Sequence, residues 1–125
     1  MRKAKYQLVL REMSSTMTDP LEQWRPRTLE DTYTTLDLDV SMSDGARGSN
    51  LFCVKVATPE ALRRRAKGFL IAEHRVLVVE KFDYELLRQT IEDILEKCTR
   101  DTWEDSCAAL QRYFAWEYED FAHED

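Results

Sequence analysis

The segment Tyr33-Thr34-Thr35-Leu36-Asp37-Leu38-Asp39-Val40-Ser41-Met42 alternates apolar and polar residues without interruption. Leu36, Leu38, Val40 and Met42 fall on one side and Thr35, Asp37, Asp39 and Ser41 on the other, the two-residue period of a strand with one buried face. Asp44 to Ser49, with two glycines, supplies a turn, and Asn50 to Ala57 resumes the alternation. The second strand turns either Leu51 and Cys53 or Phe52, Val54 and Val56 to the core, according to register. Together they make a hairpin.

On the N-terminal side, Ala4 to Arg11 carries Leu8-Val9-Leu10 and reads as a further strand. Glu12 to Thr32, broken by Pro20 and Pro26, reads as a long loop from which Leu21, Trp24 and Leu29 fold back onto the domain. On the C-terminal side, Thr58-Pro59-Glu60 has the chemistry of a helix start: an oxygen to cap a free amide, a proline that needs no donor, and a carboxylate at the positive end of the dipole. That helix is expected to reach about Lys67 and to stop at Gly68, before a strand from Arg75 to Phe82 built on Val76, Val78 and Val79.

Asp83 caps a longer helix whose apolar stripe is Tyr84, Leu87, Ile91, Ile94, Leu95 and Cys98. Asp101-Thr102-Trp103-Glu104 fits a capping box with Asp101 as the cap, opening a second helix that buries Trp103, Cys107, Leu110 and Phe114. Beyond it Phe114, Trp116 and Tyr118 alternate with Ala115, Glu117 and Glu119, which suits an edge strand or an extended flap. The fold class is therefore α+β: a mainly antiparallel sheet of about four strands with two longer C-terminal helices packed on one face. One domain, 1–125, accounts for the whole chain.

Composition narrows the function classes. Apolar runs such as Leu8-Val9-Leu10 and Val76-Leu77-Val78-Val79 are far shorter than the roughly 18 residues that cross a bilayer. The N-terminus has no apolar stretch of secretory length, so a cytoplasmic location is expected. Cys53, Cys98 and Cys107 are odd in number and share no Cys-x-x-Cys spacing, which favours buried thiols over a disulfide framework or a zinc clip. General acid-base chemistry has only His74 and His123 to draw on, and neither has a visible partner. Arg63-Arg64-Arg65-Ala66-Lys67 is a short basic run of the kind that lines the solvent side of helices, weak as a phosphate site. No catalytic residue, metal ligand or cofactor is expected.

Charge is the stronger signal. Residues 82–125 carry 13 acidic and 4 basic side chains, net −9, whereas residues 1–81 carry 11 acidic and 14 basic, net +3. A surface of that sign repels nucleic acid and attracts basic macromolecules. The candidate binding set is Glu92, Asp93, Glu96, Asp101, Glu104, Asp105, Glu117, Glu119 and Asp120, with Trp116 or Tyr118 as aromatic anchor. A solvated, solubilising surface is the simpler explanation of the same residues. A small enzyme or regulatory module with an unrecognised site is the alternative to a protein-binding function.

Four stretches stand in order: Phe52-Cys53-Val54-Lys55-Val56-Ala57-Thr58-Pro59-Glu60-Ala61-Leu62, Val78-Val79-Glu80-Lys81-Phe82-Asp83-Tyr84, Asp101-Thr102-Trp103-Glu104 and Trp116-Glu117-Tyr118-Glu119-Asp120-Phe121. Together they resemble the immunity-protein-8 family of bacterial polymorphic toxin systems, which includes immunity proteins of contact-dependent growth inhibition type. Ala57 departs from the pattern, which has a cysteine before the Thr-Pro pair. The resemblance implies a protein without enzymatic activity that binds a cognate toxin domain in the cytoplasm and blocks it. It leaves the toxin's chemistry and the oligomeric state open.

Overall fold

The computed structural model describes residues 7–15, 20–21, 23–24, 28–45, 48–65 and 75–118. In chain order the elements are β1 (Leu8–Ser14), β2 (Tyr33–Met42), β3 (Asn50–Ala57), α1 (Pro59–Arg65), β4 (Val76–Val78), α2 (Tyr84–Cys98), α3 (Trp103–Leu110) and β5 (Ala115–Trp116). β1, β2 and β3 form an antiparallel meander. β4 lies parallel to β3, with Lys55 opposite Val76 and Ala57 opposite Val78. A parallel neighbour needs a crossover, and α1 lies in the segment that makes it. β5 takes the same edge of β3 at its other end, antiparallel, with Phe52 opposite Trp116 and Cys53 opposite Ala115. The sheet is thus five-stranded and mostly antiparallel, and the alternating tail becomes an edge strand.

Pairing settles the register of β3. Phe52 and Val54 lie opposite Leu38 and Leu36, so Phe52, Val54 and Val56 enter the core, and Leu51 and Cys53 face the other way. The turn between the two strands holds Gly45 and Gly48 at φ of 74° and 60°, a backbone region that disfavours a Cβ. β1 runs further along the chain than its apolar triplet suggests. A register shift between Leu10 and Glu12 absorbs one residue, and Met13 then returns to the core opposite Leu38. Residues 4–6 of the expected strand lie outside the described residues, as do Lys67 and Gly68.

The buried face of the sheet receives the helices through Leu87, Ile91, Leu95 and Cys98 of α2 and Trp103, Cys107 and Leu110 of α3. Asp83 caps α2, its carboxylate accepting from the Leu86 amide at 3.1 Å. At the far end the Thr99 hydroxyl donates to the Leu95 carbonyl at 2.9 Å and accepts from the Leu8 amide at 3.3 Å, tying α2 to β1. The cap of α3 is Thr102, not Asp101. Thr102 holds the extended backbone of a cap, and its hydroxyl accepts from the Asp105 amide at 3.1 Å, which leaves Asp101 one residue outside the helix. Of the loop residues expected to fold back, Leu21 is buried and Trp24 sets its ring edge-on to Phe82 at 4.7 Å, whereas the Leu29 side chain is exposed.

Candidate functional site

A chain of rings runs from the core to the surface. Phe52 meets Trp103 and Phe114 edge-on at 6.4 and 6.5 Å between centroids and stacks with Trp116 at 6.4 Å. Trp116 in turn meets Tyr118 edge-on at 5.5 Å. Trp103 and Phe114 are buried, Trp116 is half-buried and Tyr118 is 49% exposed, so the series grades from packing to presentation. The indole N–H of Trp116 is itself buried with no acceptor among the described residues. Ring stacking, together with the β5 pairing, holds it in place.

The carboxylates singled out from sequence fall into two sets. Glu92, Asp93 and Glu96 are exposed on α2, where Glu92 pairs with Arg88 at 3.5 Å and Asp93 accepts from the Gln89 amide nitrogen at 2.9 Å. Asp101, Glu104 and Asp105 are exposed at the α2–α3 connection and in the first turn of α3, where negative charge complements the helix N-terminus. These six belong to the helical layer. Trp116, Glu117 and Tyr118 belong to the β3 edge, and Glu119 and Asp120 lie outside the described residues. The contacts of Phe52 with Trp103 and Trp116 link the start of α3 to that edge.

Sequence reasoning passed over the face of the sheet turned away from the core. There Glu12 lies opposite Asp39, and Asp39 opposite Leu51. Glu117 completes the row: its amide donates to the Leu51 carbonyl at 3.0 Å, and its carboxylate accepts from the Leu51 amide at 3.3 Å. The next row is Ser14, Asp37, Cys53 and Ala115. Between the rows and β5 lies a shallow groove of about 250 Å³, lined by Asp37, Leu51, Phe52, Cys53, Ala115, Trp116 and Glu117. Asp37 and Asp39 stood in plain view as the polar half of the β2 alternation. Nothing in the sequence showed that Glu12 and Glu117 join them.

The other chemical possibilities have structural explanations. Each arginine of the basic run has a partner within the fold: Arg63 pairs with Glu60, Arg64 with Asp31, and Arg65 stacks its guanidinium on the Tyr33 ring at 3.8 Å. Cys98 and Cys107 are buried, and burial pushes the Cys98 thiol above its ordinary range, away from the nucleophilic thiolate. His74 and His123 lie outside the described residues. Among the described residues no three His, Cys, Asp or Glu side chains are grouped to hold a metal ion, and no helix is long and apolar enough to cross a membrane.

A family model described as immunity protein 8 matches residues 8–121, a span that takes in all eight elements. The chain belongs to the immunity protein 8 family. Among curated proteins and among solved structures, nothing matches it. Membership makes this an immunity protein, whose partner is a toxin protein and whose role is that of an inhibitor that binds. For an immunity protein 8 domain, exposed carboxylates and a half-exposed aromatic edge are then features to weigh as contact surface.

Proposed function

We propose that this immunity protein captures a basic toxin domain, of nuclease type, in the cytoplasm of the bacterium that makes it, within a polymorphic toxin system of the contact-dependent growth inhibition kind. The observation that carries the reading is the display of the C-terminal charge. Glu92, Asp93, Glu96, Asp101, Glu104, Asp105 and Glu117 are all exposed, within residues 82–125, whose net charge is −9. A nuclease domain needs a positive surface to hold its substrate, and an acidic inhibitor both speeds encounter with that surface and covers it. Trp116 and Tyr118 add the aromatic area that interfaces of about 800 Å² per partner concentrate at their centres. On this reading the protein needs no cofactor and makes no direct contact with nucleic acid.

The test is co-expression with the toxin domain encoded beside the immunity gene, followed by co-purification and stopped-flow association over a range of salt. A one-to-one complex is expected, with association slowing as ionic strength rises. Reversing Glu92 and Glu96 to lysine is expected to slow association further while leaving the fold intact. Failure to form any complex at low salt overturns the proposal.

A further inference from the structure

The outward face of the sheet carries a cost that folding alone does not explain. Glu12 and Asp39 lie directly opposite each other on β1 and β2, and like charges in that position oppose strand pairing. Asp37 sits one row away, and Glu117 brings a fourth carboxylate in from β5. Among the described residues no cationic side chain pairs with Glu12, Asp37 or Asp39. The Asp39 carboxylate accepts from the Ser49 hydroxyl, at 2.8 and 2.9 Å. Of the described bases on this side of the sheet, Arg11 donates to the Ser41 hydroxyl at 2.6 Å, and Lys55 lies in the row beyond Cys53, opposite Thr35.

In the midst of these carboxylates is an apolar floor. Leu51 is 49% exposed in the second position of β3, Cys53 and Ala115 lie beside it, and Trp116 closes the groove at its edge. A solubilising surface has no use for a half-bare leucine at the centre of an acidic row. A flexible cationic side chain does, because it has an apolar stem and a charged head.

We infer that this groove receives a single arginine side chain of the toxin, its stem over Leu51 and Ala115 and its guanidinium between Asp37 and Glu117. The inference rests on the toxin-binding reading above and assigns the anchor to the sheet face, leaving the carboxylates of α2 and α3 to steer the approach. Arginine fits better than lysine, since a planar cation with a fork of donors serves two carboxylates at once. The division of labour has a kinetic consequence. Exposed steering charges act on the association rate, whereas a desolvated anchor acts on dissociation.

The experiment measures binding of the same toxin domain, inactivated in its catalytic site, to the wild type and to Asp37→Asn, Leu51→Ala, Glu12→Lys and the Glu92→Lys/Glu96→Lys double variant, with melting temperature recorded for each. Asp37→Asn and Leu51→Ala are each expected to raise Kd about 30-fold, the scale of an interface hot spot, through faster dissociation and with unchanged melting. Glu12→Lys replaces the opposed carboxylates with an attractive pair, so it is expected to melt higher and yet associate more slowly. The helical double variant is expected to change association alone. If the wild type binds and both groove variants dissociate at the wild-type rate with intact folds, the groove is not the anchor, and the toxin-binding reading stands without it. If the wild type forms no complex, that reading falls and takes the groove with it.

Discussion

Phe52→Ala tests whether one ring holds the sheet, α3 and β5 together. Phe52 is 2% exposed and touches Trp103, Phe114 and Trp116 at centroid separations of 6.4–6.5 Å. Truncating a buried phenylalanine costs about 3–5 kcal/mol, which already includes the contacts its neighbours lose when they cannot close up. A loss of about 4 kcal/mol is a large share of the roughly 5–15 kcal/mol that holds a domain folded. With a urea slope of about 2 kcal/mol per molar, the unfolding midpoint should fall by about 2 M. The measurement is urea unfolding followed by tryptophan fluorescence and far-ultraviolet circular dichroism, repeated in a double-mutant cycle with Trp116→Ala. Stacking across the β3–β5 pair predicts a coupling of about 0.5–1.5 kcal/mol between the two sites. A loss below about 2 kcal/mol, or a coupling near zero, would refute the account of Phe52 as the residue that docks the C-terminal edge.

Three further outcomes follow from the caps and the thiols. Thr102→Ala should destabilise by about 1 kcal/mol, and Asp101→Ala by less than half as much, because the threonine hydroxyl serves the Asp105 amide; equal losses in urea would restore Asp101 as the cap. Burial raises the Cys98 thiol above its ordinary value of 9.0, so the unfolded chain releases that proton first, and the stability it confers is present below pH 9.0 and lost as pH rises beyond it. Urea midpoints should therefore fall more steeply above pH 9.0 for the wild type than for Cys98→Ala, and a thiol reagent at neutral pH should label half-exposed Cys53 ahead of Cys98 and Cys107.

What could be read from the sequence was what depends on neighbours along the chain. β2 and β3 keep the bounds their alternation gives, and the stripe of α2 buries Leu87, Ile91, Leu95 and Cys98, because a strand or helix with one apolar face repeats that face at a fixed period. Asp83 caps α2 since aspartate before a periodic run has an amide within reach three residues on. The misplaced cap of α3 belongs to the same class of argument, with two adjacent residues, Asp101 and Thr102, able to do one task. Backbone conformation chose between them, and sequence carries no record of it.

Facts that depend on the partner strand were not legible. The alternation in Asn50 to Ala57 fits either register, and only the pairing of Phe52 with Leu38 sends Leu51 outward. The register shift after Leu10 then sets Glu12 opposite Asp39, and β5 delivers Glu117 to the far side of Leu51 from 66 residues away. Counting charge along the chain assigns Glu12, Asp37 and Asp39 to residues 1–81, with net +3, and so discards them. The sheet reverses that assignment, since a strand presents only alternate residues to each face, and among the described residues Arg11 is turned to Ser41 and Lys55 lies in another row. An acidic face can thus be built from a segment that is basic on balance, and net charge per segment is a guide to encounter with a partner, not to where the partner is gripped.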